Sequence, residues 1–255
     1  GFDTANQTDA GVIADALPGE ENRLIDLVPP VITVSAPDNT NDTTPTIDWT
    51  PATDGDSGLH ATPYSVRIGT SYGDNSVMSE SASNTNSYTP IALLTLTNGE
   101  TYYMQVSARD ALSNWSDWAD CQGTFIYDNE GPTAPGTPTT EYFNGTTYYT
   151  DDLRPQIDWT ASTDALSGMP TTGAYEIKIG SAQDGVDILP ATLVDSNTYT
   201  PAGDLGLTDG STYYVSVRAF DVVGNPSHAS DPWVRGEFVY DSGPPQFANE
   251  VPTDG

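Results

Sequence analysis

Lysine is nearly missing from this chain. Lys178 is the only one, and Lys plus Arg number 7 against 36 Asp plus Glu, a formal net charge of −29. Such a surface repels polyanions, which argues against nucleic acid and against insertion into or docking on anionic membranes. It suits either divalent cations or a solvated acidic coat on a secreted or salt-adapted protein. Cysteine is as scarce: Cys121 stands alone, so no intrachain disulfide forms and packing or metal must hold the core. With only His60 and His228 as bases, neither in a recognisable motif, Cys121 reads as a small, half-buried strand residue. No apolar run approaches the ~18 residues of a membrane span. No G-x-S-x-G, H-E-x-x-H or P-loop occurs, and in so acidic a chain a pair of carboxylates carries no signal, so an enzyme is not expected.

What is present is repetition. "PTIDWTPATDGDSG" (residues 45–58) returns as "PQIDWTASTDALSG" (155–168), "YSVRIG" (64–69) as "YEIKIG" (175–180), and "LTNGETYYMQVSARD" (96–110) as "LTDGSTYYVSVRAFD" (207–221). The matches keep one order, which means a duplicated domain. Each copy reads as short strands. Tyr64, Val66 and Ile68 alternate with Ser65 and Arg67, and Met104, Val106 and Ala108 alternate with Gln105, Ser107 and Arg109. A period of two predicts antiparallel strands with one buried and one wet face. About seven such strands in roughly 100 residues predict a two-layer sandwich. Trp49 and Trp159, in the repeated "IDWT", are expected between the sheets. Tyr102 and Tyr213, after Leu-x-x-Gly turns, are placed to bond back to the turn backbone.

"IDWT", "YSVRIG" and "LTDGSTYYVSVRAFDVVGNPS" together resemble the fibronectin type III pattern of tryptophan, strand-C tyrosine, tyrosine corner and F strand. "TDGDSG" and "VVGNPS" are similar to segments of tandem Ig-like modules on prokaryotic surface proteins. The resemblance implies an all-β chain of two tandem antiparallel β-sandwiches. The expected divisions are a lead-in or closing strand of a preceding module (1–28), sandwich one (29–130), sandwich two (131–242) and the start of a following module (243–255). It also implies an extracellular, cell-surface segment of a stalk, fibre or surface-layer array. Its partners would be neighbouring modules or identical subunits.

Two site expectations follow. In such a sandwich the amino end and the B–C and F–G loops share one pole, so the carboxylates that end one unit would meet the loops of the next. Asp128 and Asn129 of "FIYDNEGP" would then face Asp164 and Asp221, and Asp26 would lie near Asp54 and Asp110. Converging carboxylates without a counter-charge call for a hard cation, and Ca2+ takes six to eight oxygens of this kind. The alternative is turn capping by Asx bonds. The other site is "NWSDWAD", where Trp115 and Trp118 are placed either to stack on Arg109 and Arg67 or to form a sugar-binding platform, as in a carbohydrate-binding module. Four N-x-S/T sequons, at Asn6, Asn41, Asn114 and Asn144, permit glycosylation in a secreted setting.

Overall fold

The computed structural model describes residues 26–33, 39–118, 121–228 and 230–244. The expected continuation at 245–255, and residues 1–25 of the lead-in, lie outside them. The chain divides into two compact units, Gly1–Asn129 and Glu130–Gly255. All fourteen elements among the described residues are strands, and no helix there is long and apolar enough to cross a membrane.

In the first unit, β1 (Ile47–Asp48) pairs with β4 (Ser87–Tyr88). Facing this pair is a sheet of β3 (Met78–Ser83), β2 (Leu59–Gly69), β5 (Thr101–Asp110) and β6 (Gln122–Ile126), antiparallel in that order. The alternation of β2 sends Tyr64, Val66 and Ile68 inward, where they meet Ile47, Trp49, Met104, Val106 and Phe125 in one core. Trp49 is 3% exposed and meets Tyr64 edge-on, with centroids 5.2 Å apart. The second unit repeats this plan with β9 (Ile157–Asp158), β10 (Tyr175–Gly180), β11 (Leu189–Val194), β12 (Thr198–Tyr199), β13 (Thr212–Ala219) and β14 (Val234–Tyr240). Trp159 meets Tyr175 at 5.5 Å in a separate core. This unit adds a hairpin, β7 (Tyr142–Phe143) and β8 (Tyr148–Thr150), in which β8 runs parallel to β14 and β7 forms the sheet edge.

Two expectations need correction. The face of β5 opposite the core is not wet, since Gln105 is 3% and Ser107 1% exposed. The chain after β5 folds back over them: Gln105 Nε2 donates to Trp118 O (3.2 Å) and Ser107 Oγ to Ser116 O (2.8 Å). Each side chain thus donates to a main-chain carbonyl, which offsets the cost of burying it. Cys121 is fully rather than half buried, inside the first core.

Both tyrosine corners are formed. Thr97 N–H donates to Tyr102 Oη and Thr208 N–H to Tyr213 Oη, each at 2.7 Å. Tyr102→Phe keeps the ring and strands the amide, so we expect a loss of about 1–2 kcal/mol. It would be read as a lower urea midpoint at unchanged slope.

Candidate metal centre

The site in the first unit is built from three segments. Asp26 lies on the lead-in ahead of the sandwich, Asp54 is in the loop between β1 and β2, and Asp110 ends β5. One carboxylate oxygen from each falls within 4.8 Å of the others. Asp110 is fully buried and Asp26 nearly so. Among the described residues no lysine or arginine forms an ion pair with any of the three.

Local bonding fixes each carboxylate. Asp54 Oδ1 accepts from Gly58 N (2.7 Å) and Asp56 N (3.3 Å), curling the loop around itself. Gly58 closes that curl at φ +74°, a conformation that glycine adopts without strain. Asp110 Oδ1 accepts from Leu112 N (2.9 Å) and Asn114 N (2.8 Å). Asp26 accepts from Val28 N at Oδ1 (2.9 Å) and Ser57 N at Oδ2 (3.0 Å). Asn114 links two of the segments: its Nδ2 donates to Asp110 Oδ2 and to Asp26 O (2.7 Å). Hydrogen bonding, first from the Ser57 side chain and then from Val28 N, holds Asp26 below the usual carboxylate range. A lowered pKa means that this contribution to stability is complete above about pH 3.9 and is lost as pH falls through the folded-state value.

The donors are all oxygens, which suits a hard cation over zinc or copper. The spacing fits as well. Two oxygens on opposite sides of a Ca2+ ion, each about 2.4 Å away, lie about 4.8 Å apart.

The second unit repeats the scaffold. Asp164 Oδ1 accepts from Gly168 N (2.7 Å) and Leu166 N (3.0 Å), and Gly168 has φ +82°. Asp221 takes Asn225 N on Oδ1 and Asn225 Nδ2 on Oδ2, both at 2.7 Å. Asn225 Nδ2 also donates to Glu130 O (3.2 Å), as Asn114 does to Asp26 O. The lead-in packs closely here: a Cβ on Gly131 would stand 1.9 Å from Pro226 O. Asp128 and Asn129 end the first unit, where Asp128 N–H donates to Thr40 O (2.9 Å) and Asn129 N–H to Asn98 Oδ1 (2.8 Å). The sequence already places Asn225 beside Asp164 and Asp221, as a site member or a turn cap, but Asn114 stands out there only as a sequon and its bridging role was missed. Its signal was the repeated spacing of Asp, three residues, Asn.

The tryptophans stack on arginines. Arg67 lies 4.1 Å from the ring centre of Trp118 and Arg109 5.1 Å from that of Trp115. Trp115 remains 44% exposed, and with Trp118, Glu80 and Asp117 it lines a cleft of about 460 Å3. In the second unit Lys178 (4.3 Å) and Arg218 (4.6 Å) both lie over the ring of Trp233.

Residues 33–124 match the family model of the Rha78A-like, N-terminal immunoglobulin domain. No curated protein matches the chain. Among solved structures, the first three fibronectin domains of chicken CNTN1 are similar at 14% identity and TM-score 0.50, over 87% of this chain and 70% of that one. Fibronectin(III)-like modules of Clostridium thermocellum CbhA align at 11% identity and TM-score 0.39, over 83% and 94% of the two chains. Three domains of titin align at 17% identity and TM-score 0.43, over 84% and 67%. The chain is thus built of immunoglobulin-like, fibronectin type III-like β-sandwich modules.

Proposed function

We propose that this chain is a non-catalytic, structural segment of a secreted cell-surface protein, and that calcium stiffens its modules where the chain enters them. The observation that carries the reading is the convergence of Asp26, Asp54 and Asp110 from three separate segments, with no cationic side chain among the described residues to balance them. An ion bound there ties the lead-in to both loops of the sandwich pole. Without it, three like charges oppose that docking. Asp164 and Asp221 repeat the loop pair, and in the sequence repeat Asp128 is the counterpart of Asp26. In an array, each module's closing carboxylate would serve the next in the same way.

Calorimetric titration with Ca2+ tests this. Saturable binding with Kd of order 10⁻⁴–10⁻³ M is expected, the range of extracellular modules. It should weaken in acid as the carboxylates take up protons. No binding at millimolar calcium would overturn the proposal.

A second reading, a carbohydrate-binding module, is favoured by the cleft beside Trp115 and Trp118. Arg109 and Arg67 already engage these rings, which supports packing over ligand capture. Specific binding on a glycan array that is lost in Trp115→Ala would favour sugar recognition instead.

A further inference from the structure

The structure separates the sequons of this chain. At Asn114 the amide is committed, since Nδ2 donates to Asp26 O and Asp110 Oδ2 within the acidic site. Asn144 is the opposite case. It lies exposed at the tip of the β7–β8 hairpin, in the run Tyr142-Phe143-Asn144-Gly145-Thr146. Its Oδ1 accepts from Thr146 Oγ1 (3.0 Å), Thr146 N (3.0 Å) and Thr147 N (2.9 Å). Gly145 turns the chain at φ +102°. The hydroxyl of the sequon thus already touches the amide of the acceptor, and Nδ2 has only a long contact to Tyr149 Oη (3.3 Å).

The hairpin also supplies an unusual surface. Tyr142 and Phe143 are each 56% exposed. Tyr142 pairs across the hairpin with Tyr149, whose hydroxyl is the group that Asn144 Nδ2 meets, so Tyr142 and Asn144 serve the same side of the hairpin. Phe143 and Tyr148 pack against each other at a tilt, with centroids 4.6 Å apart. An exposed tyrosine ring two residues before the acceptor is therefore left beside the space that a sugar on Asn144 would fill. The C–H face of a pyranose is apolar and packs well on an aromatic ring.

The geometry points to Asn144 as an N-glycosylation site whose first sugar packs on Tyr142. The donor is a polyprenyl-pyrophosphate-linked oligosaccharide. A bond forms between Asn144 Nδ2 and the anomeric carbon, the bond from that carbon to the pyrophosphate oxygen breaks with its electron pair going to pyrophosphate, and the amide loses one proton. No oxidation is involved. The attached sugar would cover aromatic surface on the hairpin that the fold itself leaves bare.

The experiment secretes the chain through a cell that carries an oligosaccharyltransferase and maps glycopeptides by mass. A glycan on the Asn144 peptide and none on the Asn114 peptide is expected. Thr146→Ala, which retains the asparagine, should abolish the Asn144 glycan. Melting is then compared with the same chain made without the transferase. The glycan should raise the melting temperature of the wild type and leave that of Tyr142→Ala unchanged. An unmodified Asn144, or a modified Asn114, overturns the site assignment. An equal glycan effect in wild type and Tyr142→Ala overturns the packing.

Discussion

Trp49→Ala and Trp159→Ala should each cost about 3–5 kcal/mol, the largest single-site losses expected in either unit. Each indole is all but buried between the two layers, at 3% and 4% exposure, and sits edge-on to a strand tyrosine. Truncation removes the largest ring of the core and leaves a cavity that the surrounding β-branched side chains are too stiff to fill. Neither indole N–H has a hydrogen-bond partner, so each residue contributes by packing alone. Trp→Phe, which deletes that N–H along with some volume, should therefore cost less than Trp→Ala. A domain is stable by only about 5–15 kcal/mol, so the alanine variants should sit near their unfolding threshold. Denaturant unfolding measures this, and a loss below about 1 kcal/mol at both sites would mean that the rings are not the centre of the cores.

Calcium should have a comparable effect in the opposite direction. An ion that binds only the folded site stabilises by RT ln(1 + [Ca2+]/Kd), about 2.7 kcal/mol at a hundredfold excess over Kd. On a unit of this size that is a rise on the order of 10 °C in melting temperature. The carboxylates also cap turns, so a substitution has to separate the two roles. Asp54→Asn does so. Both bonds to Asp54, from Gly58 N and Asp56 N, end on Oδ1, which an asparagine carbonyl reproduces while the charge is removed. Asp110→Asn is less clean, because Oδ2 accepts from Asn114 Nδ2 and an amide there would oppose donor to donor.

The duplication made most of the fold legible. A strand pattern seen once is ambiguous, but "IDWT" and the Tyr-Tyr strands recurring in one order fix the core residues in both copies. Period two then put Tyr64, Val66 and Ile68 inward, as found. It failed on β5, where the outer-face Gln105 and Ser107 are polar yet buried. Hydropathy marks a side chain's cost in water, and carbonyls of the returning chain offset that cost through bonds that no pattern displays. The β7–β8 hairpin was also unread, since its parallel pairing with β14 joins strands far apart in sequence. In the acidic site, the loop aspartates stood out through repetition. The bridging Asn114 did not, because an amide four residues after an aspartate looks like any turn.

The most direct test of the calcium-stiffened module is thermal melting of the wild type and Asp54→Asn in chelator and in Ca2+ at about a hundredfold excess over Kd, roughly 10–100 mM for the expected affinity. The account predicts that calcium raises the wild-type melting temperature on the order of 10 °C and leaves the variant nearly unmoved. In chelator the variant should melt no lower than the wild type, because one of three opposed charges is gone. A wild type that ignores calcium, or responds equally to magnesium and sodium, would contradict it and make these aspartates turn caps on an acidic surface.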